Sequence, residues 1–282
     1  MAFDRSAFLS AYDTLLSRWP VPVETIDVET PYGTTRVNAA GPAGGPPLVL
    51  LHGGGATAAS WWANAGELAR EARVFAVDRI GEAGRSARGG RQPVRRVEDL
   101  HGWLDAVLDG LGLDRIDLCG HSYGGWIALN HALSRPDRIE RLALLDPTGC
   151  FTGYAPRYLL HAAPMLARPS EARARAFLAW ETGGVPLDPD WTRLHGLAAT
   201  FPAARPVTGP RPTPEALATL RARCLLLAAA NSRSHNPRTL TARAERLLPQ
   251  AVIRTLDGVS HHALPYTRAE QVNAELARFL KR

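Results

Sequence analysis

A serine held between glycines, at the spacing Gly120-His-Ser122-Tyr-Gly124, is where this sequence first offers residue types that could do chemistry. The apolar run Arg115 to Cys119 precedes it, and the helical stretch Tyr123 to Ser134 follows. A chain that turns sharply from strand into helix lifts the Ser122 hydroxyl above the sheet edge and holds it in a strained conformation. Glycines suit such a turn because a Cβ there would meet neighbouring backbone. The turn also puts the N–H of Tyr123 at a helix N-terminus, where negative charge is favoured. The competing reading is a tight glycine-rich turn with an incidental serine.

A serine hydroxyl is a poor nucleophile until a base takes its proton. The expected base lies late in the chain, after the last strand, where Gly258-Val-Ser-His261-His262-Ala-Leu-Pro265 stands. Two adjacent histidines cannot both point at Ser122, so one of them packs or faces solvent. His52-Gly-Gly-Gly55 ends an earlier apolar run, and its backbone can turn N–H groups inward. Gly54 is the expected second donor to a developing oxyanion, beside Tyr123, with Gly55 next. Losing one such donor typically costs about 3 kcal/mol of transition-state stabilisation. Together these groups would perform acyl transfer.

The elements that must position them alternate short apolar runs with amphipathic stretches, the pattern of a mostly parallel α/β sheet flanked by helices. Val23 to Glu29 and Thr35 to Ala39 read as an opening antiparallel pair. Leu48 to Leu51, Val74 to Val77, Arg115 to Cys119, Ile139 to Leu145, Cys224 to Leu227 and Val252 to Leu256 read as strands. Ser60 to Glu71, Val94 to Leu111, Tyr123 to Ser134, Pro237 to Leu248 and Arg268 to Leu280 read as helices. Residues 149 to 215 are rich in proline and aromatics and carry no convincing strand. They read as an inserted helical cap on a core made of residues 1 to 148 and 216 to 282. Trp61 and Trp62 near the glycine loop, and Tyr154 and Trp180 in the cap, are candidate substrate-binding residues; Phe151, Tyr158, Trp191 and Phe201 could add to an apolar cleft.

On these motifs the sequence resembles the α/β-hydrolase fold family over nearly its whole length, in its serine hydrolase, carboxylesterase-like branch. Gly120-His-Ser122-Tyr-Gly124-Gly125 is similar to the family's Gly-His-Ser-x-Gly-Gly elbow. Asp78 to Ser86 is similar to its Asp-x-x-Gly-x-Gly-x-Ser loop, although Ala83-Gly84 loosens the fit. The resemblance implies a Ser–His–acid triad. Counting forward from Gly258 puts the base at His261, with Ser260 in place of the second Gly; counting back from the His-x-Leu-Pro pattern and Glu270 puts it at His262, and His262 is the preferred of the two. The family's acid usually follows the strand at Leu225 to Ala228, but this chain has Ala229-Ala-Asn231-Ser-Arg-Ser there, with no carboxylate. Asp146, one strand earlier, is the alternative and keeps the order Ser, Asp, His. It could instead cap the Pro147-Thr-Gly turn, and Asn231 could orient an imidazole without supplying charge. Asp78 is expected to cap its strand-end loop and His121 to pack behind the elbow.

Composition constrains the rest. The 282 residues are 45% hydrophobic and 21% charged, ordinary for one large domain or one domain with an insertion. The net charge is +6, and the basic residues are almost all arginine, spread along the chain. With no nucleic-acid motif beside it, this reads as a solvated surface. Three cysteines, Cys119, Cys150 and Cys224, fit no metal or disulfide spacing and read as buried thiols. The N-terminus is too polar for a signal peptide and no run is long enough to span a membrane, so a cytoplasmic location is expected. The expected partner is a small-molecule substrate, with no metal, organic cofactor, nucleic acid or membrane; homo-oligomerisation is left open. The rival functions are carbon–carbon hydrolysis, acyl transfer to another acceptor, or ligand binding without catalysis.

Overall fold

A computed structural model describes residues 3–281; Met1, Ala2 and Arg282 lie outside it. The core is one sheet in the order β1-β2-β4-β3-β6-β7-β8-β9. β1 (Glu24–Thr30) and β2 (Gly33–Ala40) form the antiparallel opening pair, and β2 meets β4 (Arg73–Val77) antiparallel. From β4 the sheet is parallel through β3 (Pro47–Leu51), β6 (Ile116–His121), β7 (Ile139–Leu145), β8 (Arg223–Ala229) and β9 (Val252–Leu256). The two-residue β5 (Ala87–Arg88) pairs with β2. The central strands are buried along nearly their whole length, as a sheet covered on both faces requires.

On one face pack α3 (Val97–Gly110), α4 (Tyr123–Ser134) and α9 (Pro237–Leu247), through Leu104, Ile127 and Leu240 among others. On the other lie α2 (Ala65–Leu68) and α10 (Ala269–Leu280), which buries Val272, Leu276 and Phe279. Each fully buried Leu, Val or Phe contributes roughly 1.5–3 kcal/mol by leaving water, which makes this two-sided core the frame that holds the strand ends still.

Two expectations change. The stretch Ser60 to Glu71 is not one helix: a 3-10 turn over Ala58–Trp61 and the single turn α2 replace it. Between them the Trp62 N–H donates to the Ala59 carbonyl (3.2 Å) and the Asn64 N–H to the Trp61 carbonyl (2.9 Å), three-residue spacings that replace the four-residue bonds of a continuous α-helix. An N-terminal helix, α1 (Arg5–Leu16), stands where no element was assigned. Its Phe8, Ala11, Tyr12 and Leu15 recur at helical spacing and are buried, and the Asp4 side chain accepts from the Ala7 N–H at 2.9 Å as an N-cap.

Between β7 and β8 the described residues form helices and no strand: α5 (Pro156–Ala167), α6 (Glu171–Glu181), α7 (Pro189–Ala198) and α8 (Pro214–Ala218). α8 straddles position 215, and its Leu217 joins the main core. α7 shares an apolar cluster with α1, so the N-terminal helix braces the helical segment between β7 and β8.

Candidate active site

β6 and β7 are adjacent parallel strands, and each ends in a residue with positive φ: Ser122 at 54° and Asp146 at 41°. Non-glycine residues adopt that region reluctantly, so the fold holds both against local strain. At Ser122 the cause is steric. A Cβ on Gly120 would come within 2.3 Å of the Gly124 carbonyl oxygen, and one on Gly124 within 2.4 Å of the Leu51 carbonyl oxygen. The turn is pinned by the Ser122 N–H donating to the Leu145 carbonyl (2.9 Å) and the Trp126 N–H donating to the Ser122 carbonyl (3.1 Å).

The Ser122 hydroxyl meets His261 Nε2 at 2.8 Å, and His261 Nδ1 meets Asp146 Oδ2 at 2.6 Å. All three side chains are buried. His262, the preferred base from the sequence, does not reach the serine; His261 stands there instead. Its Nε2 pairs with the Tyr158 hydroxyl at 3.1 Å, and its ring stands nearly perpendicular to that of His261. The physical reason is the turn itself: successive side chains diverge, and the His261 N–H and carbonyl are both held from outside. Burial, then His261 and His195, push the His262 imidazole well below the usual histidine range.

Asp146 carries more than one imidazole. Its Oδ1 accepts from the Ala229 N–H (3.0 Å) and pairs with His235 Nε2 (3.1 Å); its Oδ2 also accepts from the Ser232 hydroxyl (2.8 Å). His235 Nδ1 contacts the Ser234 hydroxyl at 2.9 Å. Burial alone would raise this carboxyl, but hydrogen bonds and charge from His235 and then His261 outweigh it and hold the group far below the carboxylate range. Asn231 is exposed and takes no part in this cluster. His235 was missed at the sequence level because no local pattern links it to a strand end five elements away.

The glycine loop closes against the serine. A Cβ on Gly53 would lie 2.7 Å from His121 Nδ1 and 3.3 Å from the Ser122 Cβ. Gly54 borders the cavity beside Ser122, and the Tyr123 N–H, first in α4, has no intrahelical acceptor. Gly55 differs: its N–H donates to Glu82 Oε2 at 3.4 Å. Glu82 is in turn bonded to Arg79, whose guanidinium donates to the His52 carbonyl (2.9 Å) and lies over the Tyr123 ring. His121 packs behind the elbow and its Nε2 meets the His261 carbonyl at 2.9 Å. Asp78 accepts from the Ala58 and Arg85 N–H groups and from the Tyr12 hydroxyl.

The cavity next to Ser122 measures about 20 Å³ and is bordered by Trp61, Trp191, His195, His262 and Tyr266. Of the four substrate-binding candidates only Trp61 reaches it. Trp62 lies against Tyr266 and under Arg18, Tyr154 is 44% exposed and stacks on Tyr158, and Trp180 stacks on His161. Which aromatics between β7 and β8 face the serine depends on how α7 docks, and composition alone carries no such signal. Among the described residues no group of histidine, cysteine or acidic side chains forms a metal site, and no helix is long and apolar enough to cross a membrane.

The buried imidazoles have a consequence for stability. Burial pushes His121 and His131 down to about 3 and His195 to about 4. Below the ordinary histidine value of about 6.5 the unfolded chain binds protons that these folded rings refuse, so stability falls as pH falls. By pH 5 each ring costs about 2 kcal/mol and the three about 6 kcal/mol, comparable with the ~5–15 kcal/mol of a whole fold. The melting temperature should therefore drop steeply between about pH 6.5 and 5. The lowered Asp146 carboxyl acts only in a more acid window, below about pH 4. Calorimetry showing a flat melting temperature across pH 7 to 5 would contradict this.

The fold recurs in known proteins. A family model described as the alpha/beta hydrolase family matches residues 48–275. The carboxylesterase YbfK of Bacillus subtilis (strain 168) is 35% identical over 62% of this chain, though the match spans only 58% of that relative. The crystal structure of the carboxylesterase CesB (YbfK) from Bacillus subtilis superposes with a TM-score of 0.90 at 28% identity, covering 97% of each chain. Naproxen esterase (carboxylesterase NP) from Bacillus subtilis superposes at 0.88 with 26% identity, covering 98% of each.

Proposed function

The chain belongs to the alpha/beta hydrolase family, and from that premise we propose that it is a serine esterase acting through Ser122, His261 and Asp146. The observation that carries the reading is the unbroken line from hydroxyl to imidazole to carboxylate, 2.8 Å and then 2.6 Å long. The carboxylesterase names of its relatives support the same class.

In this mechanism His261 Nε2 takes the Ser122 proton as the oxygen attacks an ester carbonyl. Asp146 holds His261 with its proton on Nδ1 and stabilises the imidazolium that forms. The Tyr123 and Gly54 N–H groups receive the oxyanion. His261 then protonates the departing alkoxide, and water, activated by the same imidazole, releases the acid from Ser122.

Residues 149 to 215 serve as a cap over the core residues 1 to 148 and 216 to 282. The void beside Ser122 has room for about one water. An ester can enter only if part of its wall moves, and α7, which contributes Trp191 and His195, is the wall that belongs to the insertion. The aromatic lining by Trp61, Trp191 and Tyr266 suits a small apolar or aromatic ester.

A fluorophosphonate probe tests the reading. One label per chain is expected on the native protein, none on Ser122→Ala, with hydrolysis of an activated ester lost in the same variant. An unlabelled native protein would mean an inert serine and a ligand-binding role.

A further inference from the structure

The His261 main chain is gripped from both sides. Its carbonyl meets His121 Nε2 at 2.9 Å, and its N–H donates to Glu181 Oε1 at 2.9 Å. Glu181 is the last residue of α6, in the insertion, and is fully buried. Its Oε2 accepts from the Ser260 hydroxyl (3.0 Å) and from the His262 N–H (3.3 Å). One carboxylate thus reaches down from the insertion and collects three successive donors of the loop that carries the base.

Burying a carboxylate is costly unless its lone pairs are satisfied. The three donors that meet it are all neutral, and an apolar residue in its place would leave two main-chain N–H groups and a hydroxyl without this acceptor. What the carboxylate adds is direction: its two oxygens fix the orientation of three consecutive residues at once. The same end of α6 is tied to the loop behind Asp146, because Arg233 donates to the Trp180 carbonyl. The terminus of one helix therefore touches both the base's loop and the acid's loop.

We propose that Glu181 is a positioning residue that makes the alignment of His261 depend on the seated insertion, so that the base is assembled only when the insertion is closed over the substrate. The proposal rests on the esterase reading, and fluorophosphonate labelling of the native protein tests that reading independently. The groups that face His261 are Ser122, Asp146, His121, His235, His262, Tyr158 and Glu181. Among these, Glu181 bonds only to the chain from Ser260 to His262, so its removal leaves the serine and the acid in place.

The experiment compares Glu181→Gln with Leu178→Ala in steady-state hydrolysis of an activated ester. In the glutamine variant the amide NH2 must face at least one of the three donors. A displaced imidazole should lower kcat at least tenfold, and as much as about 100-fold for a misplacement near 1 Å. KM should stay within about threefold, and the rate of fluorophosphonate labelling should fall in step with kcat. Leu178 is buried on the same helix, in the apolar cluster shared with α1 and α7, and takes no part in the hydrogen bonds from Glu181 to Ser260, His261 and His262, so its truncation weakens the seating of the insertion but keeps the carboxylate link. At saturating substrate the insertion closes with that link intact, so this variant should lower the melting temperature and raise KM with kcat kept. If Glu181→Gln does not fold, Glu181→Asp, which keeps the charge but withdraws it by one methylene, should show the same split. A kcat within threefold of native in the Glu181 variant, or an equal kcat loss in Leu178→Ala, overturns the proposal.

Discussion

His261→Ala is expected to lower kcat/KM for an activated ester by about 10⁴-fold or more, while His262→Ala stays within about tenfold of native. The two residues are neighbours of the same type, so the contrast isolates geometry from chemistry. His261 Nε2 is 2.8 Å from the Ser122 hydroxyl, with Asp146 on its other nitrogen. Without it the serine proton has no acceptor, and the oxyanion donors can act only on a weak nucleophile. His262 cannot substitute: its Nε2 is engaged with Tyr158, and burial and neighbouring rings push its imidazole well down, which makes it a poor proton acceptor. Its loss removes one side of the small cavity, an effect that should appear mainly in KM. Stopped-flow hydrolysis with both variants at matched folding decides the matter. Equal losses in the two would show that the loop rearranges when substrate binds.

The elbow was legible because its constraints are local. Gly120, Gly124 and the strand and helix around Ser122 lie within a dozen residues, and steric exclusion acts at that range. The parallel core was legible for a similar reason: strands buried on both faces carry apolar runs, and Leu48 to Leu51 of β3, Leu118 and Cys119 of β6, Leu142 to Leu145 of β7 and Cys224 to Ala229 of β8 are such runs. The choice between His261 and His262 was not legible. Both counts were consistent with the spacing, and the turn after Gly258, at φ 72°, is set by bonds from Glu181 and His121 far away in the chain. Glu181 and His235 carry no motif at all. Each is recognised only when tertiary packing removes water and leaves a polar atom with a single place to bond. Trp62, Tyr154 and Trp180 show the same limit in reverse: aromatic character announces burial or stacking but not which cavity is served.

Asp146→Asn should reduce kcat/KM by about 10³- to 10⁴-fold, the range expected when a triad loses its buried charge but keeps its shape. The four donors on this carboxylate determine how the amide sits. If the amide oxygen takes the place of Oδ2, it still accepts from His261 Nδ1 and from Ser232, and the NH2 faces Ala229 N–H and His235. His235 can answer by changing tautomer, accepting at Nε2 and donating from Nδ1 to Ser234, but the Ala229 N–H is left without an acceptor. The reverse orientation turns the NH2 onto His261 Nδ1 and forces that ring to carry its proton on Nε2, facing the serine, where it cannot act as a base. The first arrangement loses only the charge that stabilises the imidazolium, and the second loses the base outright. Measured losses near 10³ would therefore report the first, and losses near 10⁴ the second. His235→Leu, which removes a donor from Oδ1 while leaving His261 paired, should cost far less, about tenfold. Asn231→Ala should cost nothing measurable, since Asn231 is exposed. An Asp146→Asn variant with more than a tenth of native kcat/KM would show that the acid lies elsewhere, whatever the distance of 2.6 Å suggests.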